Sequence, residues 1–509
     1  MSSNGDLPRF IEDAIRRCSD FPQLRSHEDC LRAALSSYDE AFSVAVVGRI
    51  KMGKSTLMNA LVGAPLAPVG VTETTATINR FQYGTGSPCI HWQGGKSESV
   101  SAERLSAWVG SSPEVLERIK QTAWIDFFVD MPRAADMRII DTPGIGSVVQ
   151  EHEEVVRKFL DTAAAIVYVL EYPGKEEDLK TLTDFNGTRD DTQANSVCVL
   201  HKWDYLECED VCEEAWRQAG RVKEQLGNVV AEVIPVSGPV ALVARNAPDN
   251  VLNGLADWLK SHSEDELKAA SRNEDRWIRD PARLALLKAY PYWNWNSFKL
   301  ILRELRKVSQ ADVTEIRQHL ENFSRVPELE EVMKERFFER SVIIKQSQLA
   351  RRIEPEFDAI ILRLRQLVEE TKNGIAATEE AMIAPGLSDA TVRWLKREHR
   401  RLKEALAGED EAWSFFDGGW SFHEGEALAA RMDLETVTFI DSFPADLAQD
   451  KPLLLAALQG GRRQELQNLP VIYGLIDKYR GRSNRASRKE QPIFEHIVDR
   501  LRQHAAQLN

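Results

Sequence analysis

A chain of 509 residues with a formal net charge of −14 and a pI near 5.4 has room for about two to four domains, and its acidity excludes nucleic acid as the main partner. Six cysteines without a paired framework, and a polar opening over residues 1–10 without a signal-peptide pattern, lead to the expectation of a cytoplasmic chain with reduced thiols. No apolar run approaches the ~20 residues of a membrane-spanning helix, so any membrane contact is expected to be peripheral, on the inner face of the cell membrane.

The chain begins with helical periodicity. Phe10, Ile11, Ala14, Ile15 and Cys18 make one apolar stripe, and Leu31 with Leu35 another. Val44, Ala45, Val46 and Val47 then read as a buried strand, and the run from Leu57 to Leu61 as a helix. Between them stand Gly48, four residues, and Gly53-Lys54-Ser55, the spacing of a phosphate-binding loop. In such a loop the amides around Lys51, Met52, Gly53, Lys54, Ser55 and Thr56 point inward onto phosphate oxygens. Lys54 brings a cation to the β- and γ-phosphates, and Ser55 Oγ is a Mg²⁺ ligand.

Three further elements specify the base and the metal. Residues 70–78 carry Thr74 and Thr75 ahead of a strand expected over 76–83, which suits a switch whose hydroxyl completes the Mg²⁺ shell when a γ-phosphate is present; Thr75 is preferred and Thr74 held in reserve. The alternative is a threonine-rich strand edge. A strand over 137–140 ends in Asp141-Thr142-Pro143-Gly144, where Asp141 is placed to hold a Mg²⁺-bound water and the Gly144 amide to meet the γ-phosphate. A strand over 197–200 delivers His201-Lys202-Trp203-Asp204. One carboxylate accepts guanine N1–H and N2–H₂ together, so Asp204 reads as the guanine selector and the Lys202 stem as a cover for the ring. Finally, residues 233–236 form a strand leading to Ser237 and Gly238, small residues suited to backbone contact with the guanine carbonyl. Four elements in this order point to GTP and GDP, with Mg²⁺, as the ligands.

These motifs, from the loop through Asn59, Ala60, Leu61 and Gly63, with Thr74-Thr75-Ala76, Tyr83-Gly84, Asp141-Thr142-Pro143-Gly144-Ile145 and His152-Glu153, resemble those of the bacterial dynamin-like large GTPases over residues 43–245. The resemblance implies GTP hydrolysis, head-to-head dimerisation across the nucleotide with higher oligomers as an option, and hydrolysis-driven movement of a helical stalk. Ile50 and Lys51 stand where eukaryotic dynamins carry Gln-Ser, and a lysine there is similar to bacterial members. Two departures stand out: His201 replaces the usual Asn or Thr of the base motif, and 163–165 is all alanine where an aspartate is usual. With no Gln or His in the Asp141 motif, catalysis is expected to lean on electrostatics, with Lys54, Thr75, Asp141, Gly144 and Lys51 as catalytic residues.

The expected fold class is therefore α/β, a P-loop GTPase domain with a mostly parallel sheet and helices on both faces, joined to an extended α-helical bundle or stalk. Its expected parts are N-terminal bundle helices (1–42), the GTPase domain (43–245), a helical insertion (246–325), a last GTPase helix over 326–341 opened by Pro327, and the stalk (342–509). Ile353, Phe357, Ile360, Leu364 and Leu367 form a heptad seam, with a break or kink expected at Pro355.

Two segments suit anionic lipid. Trp413, Phe415, Phe416, Trp420 and Phe422 flank an expected Gly418-Gly419 turn, and Lys478, Arg480, Arg482, Arg485, Arg488 and Lys489 make a basic loop. A buried turn and a solvated loop are the plainer readings. The competing reading of the whole chain is a GTP-switched cytosolic scaffold that binds a protein partner without membrane contact. Cys208 and Cys212, with His201 nearby, lack the fourth ligand and the spacing of a metal site.

Overall fold

The computed structural model describes residues 6–49, 51–63, 77–101, 104–105, 113–129, 137–142, 163–176, 179, 195–206, 208, 210–443, 445–459, 465–484, 486–487 and 489–508. They form two compact units, one of residues 41–341 and one of 1–40 with 342–509.

The 41–341 unit is built on a nine-stranded sheet in the order β4-β3-β5-β2-β6-β1-β7-β8-β9. The strands are β1 (Phe42–Val47), β2 (Asn79–Tyr83), β3 (Cys89–Trp92), β4 (Ser97–Ser99), β5 (Thr122–Val129), β6 (Met137–Asp141), β7 (Ala165–Glu171), β8 (Ser196–His201) and β9 (Glu232–Pro235). From β6 to β9 every neighbouring pair is parallel. The β2–β6, β3–β5 and β3–β4 pairings are antiparallel, which makes the sheet mixed. Val44 to Val47 of β1 are all buried, as expected of a strand with parallel partners on each side and an unbroken apolar run.

Parallel strands put their C-terminal ends on one edge of a sheet, where α/β proteins bind ligands. The ends of β1, β6, β8 and β9 therefore bring together the loop at Gly48, Asp141, His201 and Ser237, residues nearly two hundred positions apart. Helix α3 (Lys54–Val62) leaves the β1 loop, after α1 (Asp6–Cys18) and α2 (Arg25–Asp39) of the other unit; α4 (Pro113–Gln121) and α5 (Val211–Leu226) follow. Beyond β9 come α6 (Gly238–Asn246), α7 (Asp249–Lys260), α8 (Trp295–Lys307), α9 (Val313–Ser324) and α10 (Val326–Met333). A single core runs through this region, from Trp203 and Val211 to Trp277, Phe298 and Leu320. The aromatic run at 290–295 packs into it, with Tyr290 and Trp293 buried. Pro327 sits in the first turn of α10, and a π-helical turn (Lys334–Phe338) succeeds it.

The second unit is all helical: α1 and α2 with α11 (Ser341–Met382), α12 (Asp389–Asp441), α13 (Leu469–Ser483) and α14 (Gln491–Leu508). Ile353, Phe357, Ile360 and Leu364 are fully buried, in one core with Phe10, Ile11, Ala14, Ile15 and Cys18 of α1. Three expectations are corrected here. Helix α11 runs through Pro355 without a break, since the long buried seam outweighs one lost backbone bond. Gly418 and Gly419 form no turn but lie inside the 53-residue α12. Their neighbours Trp413, Phe416 and Trp420 recur at helical spacing on one stripe, and Phe416 and Trp420 are buried against Phe357. Gly419 is needed because the Phe10 ring lies where a Cβ would sit, 2.4 Å from it. The basic loop is in large part helix: Lys478 through Ser483 end α13, with Lys478 paired to Asp450 and Tyr479 buried.

Candidate functional site

Gly48 ends β1 where β7 passes so closely that a Cβ would meet the Val169 carbonyl oxygen at 2.5 Å. The loop turns back through Lys51 (φ +66°) and Gly53 (φ +94°), both in the left-handed region, before α3 begins at Lys54. Left-handed residues turn successive amides to one side, the concavity that holds an anion at a helix N-terminus. Lys51 is exposed, Met52 is buried, and Lys54 is 5% exposed. The Lys54 ammonium donates to the Arg49 carbonyl at 3.1 Å, spanning its own loop. Burial holds its pKa below the usual lysine range, with Asp141 pulling the other way.

Ser55 Oγ donates to Asp141 Oδ2 at 3.3 Å. Asp141 and Thr142 are fully buried, and Thr142 Oγ1 donates to the Val46 carbonyl at 2.9 Å, which ties the end of β6 to β1. A hydroxyl and a carboxylate thus meet beside the phosphate loop, an oxygen donor set that suits Mg²⁺. Thr74, Thr75 and Gly144 lie outside the described residues, as do Ile50, Pro143, Ile145, His152 and Glu153.

The base side is built from β8 and β9. Lys202 leaves β8 with φ +63°, and its ammonium pairs with Glu171 at 3.1 Å. Sequence reading missed Glu171, although an acid closing the otherwise apolar β7 was the available signal. Trp203 is fully buried and anchors the short helical turn Trp203–Tyr205 that carries Asp204. Asp204 is 4% exposed, and neither carboxylate oxygen has a hydrogen-bond partner among the described residues. Burial pushes its pKa up to about 6, with the dipole of its own backbone N–H and the Lys202 cation acting against the shift. Ser237 is fully buried; its N–H donates to the Ser324 carbonyl, and its Oγ has no partner among the described residues. Gly238 opens α6 so close to α3 that a Cβ would stand 3.2 Å from Thr56 Cγ2. Its N–H donates to His201 Nε2 at 3.3 Å.

A buried phosphate cradle, a hydroxyl–carboxylate pair and an unpartnered carboxylate at the neighbouring strand end are the parts of a guanine-nucleotide site. Residues 44–203 match the dynamin family. Over these residues the chain is similar to the GTPase domain of the dynamin family. Among its relatives, the isoniazid-induced protein IniC of Mycobacterium tuberculosis is 28% identical over 47% of this chain and 50% of its own. Dynamin-like protein 2 of Campylobacter jejuni is 25% identical over 36% of this chain and 29% of its own. The chain spans about half the length, or less, of such curated relatives. A solved chain described as part of an oligomerised bacterial dynamin pair that senses and tethers membranes aligns over 100% of this chain and 87% of its own, at 13% identity and a TM-score of 0.35, too distant to carry an argument. In the dynamin-like domain the match runs from β1 through Trp203, so it takes in the phosphate loop, Asp141 and His201.

Proposed function

We propose that this chain hydrolyses GTP to GDP and phosphate and couples the reaction to association of two heads and to movement of its helical unit. The observation that carries the reading is the buried Asp204 carboxylate, without a hydrogen-bond partner among the described residues, on the same sheet edge as the Ser55–Asp141 pair. A buried carboxylate left unpaired is costly unless a ligand supplies its donors, and guanine offers two adjacent ones. Asp204 and Lys202 take the base, with Ser237 and Gly238 lining it, their N–H groups held by the Ser324 carbonyl and His201 Nε2. Gly48, Lys51, Met52, Gly53, Lys54, Ser55 and Thr56 take the phosphates. Ser55, Thr75 and Asp141 are the residues that would hold Mg²⁺, which would offset charge on the β- and γ-phosphates. Lys54 adds a second fixed charge, and Thr75 with the Gly144 amide orients the attacking water. The test is turnover of GTP against ATP, with and without Mg²⁺. A chain that hydrolyses both alike, or neither, is not this enzyme.

One relative is named a dynamin-like protein, and no described helix is long and apolar enough to cross a membrane, so the membrane contact proposed here is peripheral docking on anionic lipid. Burial of Phe416 and Trp420 removes the aromatic segment as the contact. A better surface lies where α11 gives way to α12: Ile383, just past α11, is 82% exposed and Trp394, early in α12, 55%. Arg393, Arg397, Arg400 and Arg401 share the exposed side of α12 with Trp394, a basic and aromatic face on an acidic chain. Co-sedimentation with phosphatidylserine vesicles and with neutral vesicles tests this. Binding to the anionic vesicles that is lost in Ile383→Glu/Trp394→Glu supports the surface. No binding by the parent favours instead the scaffold reading, in which the nucleotide switches a protein contact.

A further inference from the structure

Helices α3 and α6 begin at opposite sides of the candidate nucleotide site, α3 at the phosphate loop with Lys54 and α6 at the base side with Gly238. Their far ends meet. Arg245, in the last turn of α6, donates from Nη1 to the Ala60 carbonyl in the last turn of α3, at 2.6 Å. A cation there suits the negative end of the α3 dipole. The other donors go to two carboxylates. Nη1 and Nη2 take the two oxygens of Glu330 on α10 at 2.8 and 3.0 Å, a bidentate pair. Nε and Nη2 share Glu321 Oε1 on α9 at 3.2 and 2.9 Å. Each of the five N–H groups of the guanidinium therefore has an acceptor, and the side chain is 13% exposed.

One fixed charge thus stands between the nucleotide site and α10. From Lys54 to Ala60, α3 is a rod of roughly 9 Å, and α6 from Gly238 to Arg245 one of roughly 10 Å. A ligand that bridges the phosphate loop and the base side sets the spacing of the two N-terminal ends, and stiff helices carry that spacing to Arg245. Helix α10 is placed to respond. It is eight residues long, entered through Arg325 at φ +63° and left through the π-helical turn Lys334–Phe338. Departures from α geometry of this kind recur at functional sites. The π-helical turn is held to the sheet by Arg336, whose Nε donates to Glu232 of β9 at 2.8 Å. Val326, Leu329 and Met333 supply the buried face of α10, and apolar packing has no preferred direction. The Arg245–Glu330 pair supplies a directional link to α3 and α6.

We propose that Arg245 is a positioning residue that couples occupancy of the nucleotide site to α10 through its bidentate pair with Glu330. This rests on the guanine-nucleotide reading and adds to it a route by which the ligand acts beyond its own pocket. Glu321 holds the guanidinium from α9, so the charge stays in place when a neighbouring helix shifts. Lysine is no substitute, because a single ammonium lacks the planar fork that spans a carbonyl and two carboxylates. The coupling is reciprocal: a nucleotide that steadies α10 binds more tightly when α10 is already seated.

The test is hydrogen–deuterium exchange of the α10 amides in the intact chain, without nucleotide, with saturating GDP and with saturating GTPγS. Exchange in α7 of the same unit is the reference, which removes the overall stabilisation that any ligand gives. Against it, nucleotide is expected to slow exchange in α10 of the parent by at least about fivefold, the lower end of coupling between two sites. Glu330→Gln keeps the shape of the side chain and loses its charge, whereas Arg245→Lys keeps the charge and loses the fork. In either folded variant, with nucleotide bound to saturation, the ratio of free to bound exchange is expected to fall to near one. A structural role alone would speed α10 exchange alike in both states and leave that ratio in place. Equal exchange in the parent with and without nucleotide overturns the proposal, as does a ratio retained in folded Glu330→Gln. A parent that binds neither GDP nor GTPγS would instead overturn the guanine reading beneath it.

Discussion

Ser55 Oγ and Asp141 Oδ2 are 3.3 Å apart, joined across 86 positions of sequence by the parallel pairing of β1 with β6. The hydroxyl and the carboxylate are already at hydrogen-bond distance, so a cation shared between them needs little rearrangement there. Ser55→Asn replaces the compact hydroxyl with an amide and is expected to abolish Mg²⁺-dependent GTP turnover. Lys54→Ala is expected to do the same by removing charge from the phosphates. Loss of at least about a hundredfold is the scale of one removed transition-state contact. Near-normal turnover in either variant, measured as phosphate release, would move the site elsewhere.

Asp204 gives two linked outcomes. Its folded pKa of about 6 lies above the ordinary carboxylate value of 3.8, because burial disfavours the charge. Guanine's donors need the ionised form, so affinity for GDP should be full above pH 6 and fall up to tenfold per unit below it. The same raised pKa stabilises the protonated folded form, so this group adds stability as pH falls through about 6, the opposite sign to its effect on binding. His201, held by burial near 3 against an ordinary 6.5, stays neutral in the folded protein and leaves the binding slope alone. The unfolded chain takes up that proton below about 6.5, so this group costs stability as pH falls and opposes the Asp204 contribution. Asp204→Asn should lose the pH slope and several kcal/mol of guanine affinity while gaining xanthine nucleotides, whose carbonyl replaces an amino group. A parent whose GDP affinity is flat from pH 7 to pH 5 would contradict the assignment.

In the helical unit, Gly419 and Phe10 set a packing limit. The Phe10 ring stacks on Phe357 at 5.2 Å and His423 at 4.6 Å, so it has no free side to retreat to. Gly419→Ala should gain up to about 1 kcal/mol of helix propensity yet lose about 1–3 kcal/mol to overpacking. The expected net result is a lower melting temperature. Phe10→Leu in the same background should recover part of it, whereas a rise in melting temperature for Gly419→Ala alone would show that α1 and α12 are not packed this way.

What was legible in the sequence was local. The apolar run of β1, the loop spacing and the heptad seam each imprint a short-range pattern, so the phosphate loop and the buried seam could be read directly. What was not legible depended on partners far along the chain. The pair Gly418-Gly419 reads as a turn until Phe10, some four hundred residues away, occupies the space in front of it. The basic run at 478–489 reads as a loop until Asp450 pairs with Lys478 and hydrogen-bonds Tyr479. His201 was legible as a departure from the usual motif, but its hold on Gly53 and Gly238 was not. The antiparallel pairings of β2 with β6 and of β3 with β5 likewise depend on neighbouring strands rather than on any alternation in their own short sequences.

Lys51 carries the last prediction. It is a non-glycine residue at φ +66°, a conformation that costs a lysine about 1 kcal/mol or more and that glycine would adopt freely. It is also exposed at the rim of the phosphate loop, where a second head could meet it. Phosphoryl transfer needs positive charge beside the bridge between β- and γ-phosphates, supplied in other GTPases by an arginine or a monovalent cation. If Lys51 is that charge, turnover by the parent is the same in sodium and potassium buffers. Lys51→Ser, without the charge, should then be slow in sodium, with any recovery appearing in potassium. Lys51→Gly separates charge from backbone: it should raise the melting temperature by relieving the left-handed strain while remaining as slow as Lys51→Ser. A lysine that merely tolerates the turn would give the opposite pattern, with Lys51→Gly more stable and fully active. Potassium dependence in the parent, or full activity of Lys51→Ser in sodium, would rule out the built-in cation.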